Sequence, residues 1–270
     1  MRGRTHPVEA VAAWLLALVW LAPLAYAFWS ALHPAAYATS FSLSAPWTLE
    51  NFARAWKQAP FARYYLNTVV LVTFVLVGQL ILSTLAAYAF ARFKFRLGED
   101  MAFTLLSFKF APPILVLLPL QLYFQDIGLY DTYFGLIWVY QLITMPLILW
   151  IVRGYFEDIS PDIEAAFRLD GHSWVKSFLK IAVPLAGPGI AAAGLLAFIF
   201  AWNNFVFALI LGSSAVHPVT VGALAFVTAS GIQYGVIAAA LVLSVVPTLT
   251  LALYAQRYLV EGLSLGAVKG

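Results

Sequence analysis

Four histidines, at positions 6, 33, 172 and 217, are the side chains best suited to hold a metal or shuttle a proton. They fall in different stretches with no metal-ligand spacing, and the chain has no cysteine. No metal site and no cofactor are therefore expected. No nucleophile elbow occurs, and Gly171 followed by Lys176 and Ser177 falls short of a phosphate loop, which needs a glycine directly before the lysine. The chain is not expected to be an enzyme or to hydrolyse ATP itself. Two sets of residues remain that could act: a polar segment around 153–184, and a few polar side chains embedded in apolar stretches, namely Lys109, Gln121, Asn203 and Asn204.

What positions them follows from composition. Of 270 residues, 63% are hydrophobic and 10% charged, whereas a water-facing surface needs roughly a quarter or more of its positions charged. The uncovered surface must face lipid. A spanning helix takes about 20 apolar residues, and windows of that kind lie at about 10–32, 67–91, 101–125 and 132–152. Lys180 is followed by no charge until Arg257, a stretch of 76 residues that is too long for one span. Gly212, Ser213, Ser214, His217, Pro218 and the later run Thr228 to Gly231 divide it into windows at about 185–211 and 234–256. The reading is an all-α polytopic membrane protein of six transmembrane helices, a single domain over 1–270.

Six spans place both termini on one side. With the N-terminus inside, eleven basic residues fall inside (Arg2, Arg4, Arg92, Lys94, Arg96, Arg153, Arg168, Lys176, Lys180, Arg257, Lys269) and three outside (Arg54, Lys57, Arg63). That is the positive-inside bias, so both termini are expected in the cytoplasm; membrane topology accounts for the basic residues behind the net charge of +3, and no nucleic-acid partner is expected. A seventh span would move Arg257 and Lys269 outside and weaken the bias. The first apolar run carries Trp14, Trp20 and Trp29 and exceeds a signal peptide's h-region of about 7–15 residues; it is expected to remain as a helix. No acid lies in any window, although proton-coupled carriers place relays there. Any energy for transport is expected from another subunit.

In the inner segment Ser160 can cap a helix with Pro161 at its first position and Asp162 in its first turn. Asp170 and Gly171 then break it, and Ser173 to Ile181 is a second amphipathic stretch, with Trp174, Phe178 and Ile181 on one side and Lys176 and Lys180 on another. By physics alone this helix, turn, helix could be a mere interfacial hairpin or a working element.

The segment resembles the cytoplasmic loop of the membrane-spanning subunits of bacterial ABC importers, in their sugar and polyol branch. The pattern of that loop is Glu-Ala-Ala, a spacer, Gly, then Ile-x-Leu-Pro, and here it reads Glu164, Ala165, Ala166, Asp170, Gly171, Ile181, Val183, Pro184. Further matches in order are WTLENF at 47–52, NTVVL at 67–71, AYAFARFKF at 87–95, LPLQLYFQDIGLYDTYFGLI at 118–137, AWNNFVFALIL at 201–211 and GLSLGAVKG at 262–270. The resemblance implies a non-catalytic permease subunit in the inner membrane that forms half of a sugar or polyol pathway. Its implied partners are a second homologous permease subunit, two cytoplasmic ATPase subunits and an external solute-binding protein. The loop would be the coupling element that carries ATPase closure to the spans, and the glycine-rich tail a further ATPase contact or a frayed end. One departure stands out: three residues, Phe167, Arg168 and Leu169, separate Glu-Ala-Ala from Asp-Gly, where the sugar branch has two. In that register Ala165 takes the glutamate's place and Glu164 lies one position early. The rival reading is a self-sufficient secondary carrier or a polytopic membrane enzyme.

For the embedded polar residues two readings stand side by side. Asn203 and Asn204, expected near the middle of the fifth span, either hydrogen-bond between helices or meet a hydroxylated solute; Gln121, Gln125 and Gln141 lie nearer span ends. Pro112, Pro113 and Pro119 in the third window and Pro146 in the fourth are expected to free backbone carbonyls and kink their helices. Lys109, eight residues into its window and so about 12 Å deep in a continuous helix, either snorkels to the interface or faces a wet pathway.

Overall fold

The computed structural model describes residues 7–38, 40–42, 44–58, 60–93, 96, 98–110, 112–228 and 231–267, with side chains described as far as residue 254. Arg2, Arg4, Lys94, Lys269 and the last three residues of the tail lie outside the described residues. In chain order the helices are α1 (Pro7–Ala31), α2 (Glu50–Gln58), α3 (Phe61–Arg92), α4 (Gly98–Ser107), α5 (Pro113–Asp126), α6 (Tyr133–Asp158) and α7 (Pro161–Leu169). Then α8 (Trp174–Ser177) runs through a π-helical turn, Phe178–Ala182, into α9 (Val183–Leu185). They are followed by α10 (Gly187–Trp202), α11 (Val206–Leu211), α12 (Val219–Gly222) and α13 (Tyr234–Ala267). Two-residue strands, β1 (Val227–Thr228) and β2 (Gly231–Ile232), pair antiparallel before α13.

Among the described residues four helices, α1, α3, α6 and α13, are each long and apolar enough to cross a membrane, and the count rises to six if each of two bent pairs is one span. One pair is α4 with its following 3-10 turn Phe108–Phe110, bent by 92° against α5. The other is the Trp174–Leu185 helix, bent by 75° against α10. The window at 101–125, expected as one span kinked at Pro112 and Pro113, is thus two half-helices. Pro113 opens α5, and Pro112 before it is held at φ −60°, ψ 122°, the extended backbone imposed on a residue that precedes proline. The window at 185–211 is likewise interrupted: α10 stops at Trp202 and the chain restarts a helix only at Val206.

The chain forms two compact units, one of Met1–Arg63 with Gly222–Val246 and one of Tyr64–Val221 with Pro247–Gly270. In the first unit α1 shows its apolar surface all round, Trp14 and Trp20 included, as a helix bathed in lipid does. Carbonyls at and just past its end are met by a distant amide: Asn51 Nδ2, on α2, donates to Ala31 O at 3.0 Å and His33 O at 2.7 Å, the first a group that a helix end leaves open. Gly235 allows this, because a Cβ there would stand 2.8 Å from Asn51 Nδ2. Trp29, His33, Phe41 and Trp47 stack beside it.

The second unit carries the residues of interest. Its core joins α3, α6 and α10 through Ala87, Tyr88, Val152, Phe156, Ala193 and Ala197. Small residues let α10 lie close to its neighbours, as in membrane bundles generally; a side chain at Gly189 would run into the ring of Tyr155. Thr132 caps α6, its Oγ1 accepting from Gly135 N at 3.0 Å. The helix continues to Asp158, which brings its end beside α7.

Candidate functional site

The local signals at the end of α6 act as their residue types require. Ser160 Oγ accepts from Asp162 N at 3.3 Å, Pro161 opens α7, and Asp170 closes it. Gly171 follows at φ +87° and donates from its N–H to Arg168 O at 3.0 Å. That is the left-handed glycine that ends many helices. The turn delivers the chain to Ser173, whose Oγ accepts from Lys176 N at 3.3 Å and caps α8. Phe167 and His172 rings meet across the turn at 4.1 Å, and the Arg168 guanidinium lies 3.6 Å over the Trp174 ring.

Glu164 points inward and is 1% exposed. Its Oε1 accepts from Arg92 Nε at 2.6 Å; its Oε2 accepts from Tyr88 OH at 2.5 Å and from Ser177 Oγ at 3.4 Å. Arg92 reaches on with Nη2 to Ile159 O at 3.0 Å, fixing the residue that joins α6 to α7. Both partners of this pair are withdrawn from water, and a buried carboxylate is tolerable only with its lone pairs filled, as here. Beside the pair lies a cavity of about 380 Å³ lined by Arg92, Glu99, Arg153, Glu157, Glu164 and Arg168, among others. Arg153 spans it, donating to Glu157 Oε1 at 2.6 Å and pairing with Glu99 on α4. The outward face of α7 is different in kind: Ile163, Ala166 and Leu169 are exposed, Leu169 to 89%. Ala165 is half-buried, Ile181 half-buried in the π turn, and Pro184 exposed.

The embedded polar residues do not gather into one site. Lys109 sits in the 3-10 turn between the half-helices α4 and α5, not along a continuous helix, so the depth reckoned from helical rise does not apply to it. Its Nζ lies 4.5 Å from the Phe200 ring centroid, and among the described residues it is the one charged side chain on an apolar cavity of about 510 Å³. That lining includes neither Gln121, half-buried on α5, nor the two asparagines. Asn203 caps α10, with Nδ2 donating to Ile199 O at 2.8 Å, and Asn204 O accepts from Tyr140 OH at 3.3 Å and Thr220 Oγ1 at 3.2 Å. They stand at a helix break instead of mid-helix.

The sequence pattern singles out Gln141 but not the buried polar chain to which it belongs. Gln79, fully buried on α3, donates to Gln141 O at 2.9 Å and to Thr144 Oγ1 on α6, and accepts from Ser83 Oγ at 3.0 Å. Gln141 Nε2 donates to Val75 O at 3.3 Å, and a Cβ on Gly78 would collide with that amide. A glutamine and a small residue side by side within an apolar window were the available signal.

Relatives share both sequence and fold. The chain is 34% identical over 233 residues to the probable ABC transporter permease protein YurM of Bacillus subtilis, covering 86% of this chain and 77% of that one. It is 34% identical over 227 residues to the trehalose/maltose transport system permease protein MalG of Thermococcus litoralis (83% and 82%), and 31% identical over 232 residues to the diacetylchitobiose uptake system permease protein NgcG of Streptomyces coelicolor (85% and 77%). A solved bacterial ABC transporter involved in the import of the acidic polysaccharide alginate aligns with TM-score 0.78 and 26% identity, over 93% of this chain and 95% of that one. Residues 79–264 match the model of one protein family, a stretch that takes in both the Glu164 loop and the buried amide of Gln79. This multi-pass membrane protein belongs to the binding-protein-dependent transport system inner membrane component family.

Proposed function

We propose that the chain is one of two membrane-spanning subunits of an ABC importer for a sugar or polyol. It forms half of the pathway, receives solute from an external binding protein, and is driven by two cytoplasmic ATPase subunits that dock on α7. Both termini and the 153–184 loop lie in the cytoplasm in this reading, which rests on the eleven-to-three distribution of basic residues. Hydrolysis belongs to the separate ATPase subunits. The sugar class rests on the relatives named for trehalose, maltose and diacetylchitobiose transport, and family membership favours this reading over a self-sufficient carrier or a membrane enzyme.

The observation that carries the mechanism is the two-sided character of α7. Its inner side is anchored by Glu164, and its outer side presents Ile163, Ala166 and Leu169 to solvent beside Asp162 and Asp170. A short rigid helix with an exposed apolar face is suited to a groove on a partner. Lys109, Asn203 and Asn204, at helix breaks, and Gln121, on α5, are assigned to the half-pathway, where polar groups can exchange their hydrogen bonds with solute hydroxyls. The test is purification of the tagged chain from detergent-solubilised membranes. An ATPase should come with it in a one-to-one ratio with the summed permease subunits, and its hydrolysis should rise when a solute-loaded binding protein is added. A chain that purifies without any ATPase would refute the proposal.

A further inference from the structure

We infer that Glu164 is a positioning residue that makes α7 and α3 one lever, and that it acts inside this chain instead of touching the ATPase. The inference rests on the reading of α7 as the coupling helix. In the register set by Asp170 and Gly171, the place of the loop's glutamate is held by Ala165, which has no group to reach a partner's cation. The carboxylate one position earlier is rotated by about 100° around the helix and enters the protein. There it meets α3 at two points one turn apart, Tyr88 OH at 2.5 Å and Arg92 Nε at 2.6 Å, and the following helix at Ser177.

The geometry explains why this contact would transmit force. Arg92 is bound at once to Glu164 on α7 and to Ile159 O at the α6 to α7 joint. A swing of α7 about that joint cannot occur without either dragging α3 or parting a buried ion pair, and parting it leaves two charges without water. Rings reinforce the direction: Tyr88 lies 4.7 Å from Phe178 and 5.4 Å from Phe156, and Arg168 is held by Trp174 and by the carbonyl of Glu164 itself, Nε to O at 3.3 Å. The displacement that α7 receives on its exposed face is therefore handed to the 32-residue helix α3. This helix carries Gln79 into contact with α6, so the membrane interior feels the movement through backbone stiffness.

The experiment uses the full complex in lipid nanodiscs and reads the rise in ATP hydrolysis caused by its solute-loaded binding protein, with maltose and trehalose as the solutes supplied. Glu164→Gln should leave the ATPases attached and basal hydrolysis unchanged, while the stimulation falls about tenfold or more, as expected when a buried pair loses one partner. Because that variant leaves Arg92 without a counter-charge, a second one, Arg92→Met with Glu164→Leu, removes both charges at similar volume, a change that buried pairs often tolerate. It too should hydrolyse without responding. A third replaces both residues by cysteine, which is usable because the chain has none of its own. Bridging the two thiols with a short bismaleimide should return the stimulation that the unbridged protein lacks. Full stimulation in either of the first two variants, or no recovery on bridging, overturns the inference. A wild-type complex that no binding protein stimulates overturns the proposed function instead.

Discussion

Replacing Gly171 separates backbone conformation from every other property of the coupling loop. The residue sits at φ +87°, and a Cβ built on it meets no atom within 4 Å. The space a Cβ would enter is open, so the cost of substitution lies in the backbone. An L-residue in the left-handed region costs roughly 1–2 kcal/mol; asparagine tolerates it best, and a β-branched residue is the worst case. The alternative open to the chain is to release the Gly171 N to Arg168 O bond and unwind the last turn of α7. A nine-residue helix has little cooperativity with which to resist that. The strain is therefore relieved in the loop, and the spans stay folded. A difference of one to two kcal/mol shifts the occupancy of the ordered turn by a factor of about 5–30. The assay is binding-protein-stimulated ATP hydrolysis by purified complexes of Gly171→Asn, Gly171→Ala and Gly171→Val, with retained ATPase measured alongside and melting followed by tryptophan fluorescence. Stimulation should fall in that order, asparagine staying near wild type and valine losing about tenfold, with midpoints of unfolding that hardly move. Valine equal to wild type would mean that the loop only connects two spans, and asparagine as poor as valine would mean that backbone conformation is not what Gly171 supplies.

Other outcomes are open to measurement. Gly78→Ala should lower the melting temperature by an amount corresponding to about 1–3 kcal/mol, because the new methyl displaces the Gln141 amide from Val75 O and leaves a buried donor unmet; an unshifted melt would show that the amide moves at no cost. Cysteines introduced singly at Ser214 and His172 should label from opposite sides with an impermeant thiol reagent, the first in intact cells and the second only after permeabilisation, and the reverse pattern would sink the cytoplasmic placement of the termini. Lys109→Met keeps the bulk of the stem over Phe200 and removes the charge. A pathway role predicts impaired uptake with normal assembly and normal binding-protein affinity, so wild-type uptake by this variant would assign Lys109 to the membrane interface.

Sequence alone determined what local rules control. Apolar length places α1, α3, α6 and α13, since a lipid-facing helix must be about 20 residues long and close all its own hydrogen bonds. The loop's helix, turn, helix was legible because Ser160, Pro161, Asp170, Gly171 and Ser173 act within three or four residues of themselves. Tandem prolines marked the break after Lys109, though the 92° bend depends on what the half-helices pack against. The amphipathic helix α2 went unread because its nine residues carry no apolar run long enough to register among spans. Tertiary structure decided the rest, for a reason of distance along the chain. Glu164 stands one residue from the expected register, and nothing local says whether it faces a partner or the interior. The answer lies with Tyr88 and Arg92, 76 and 72 residues away. Gln79 likewise finds Thr144 across 65 residues. A buried carboxylate or amide is stable only where its partners already wait, and only the folded chain brings those partners together.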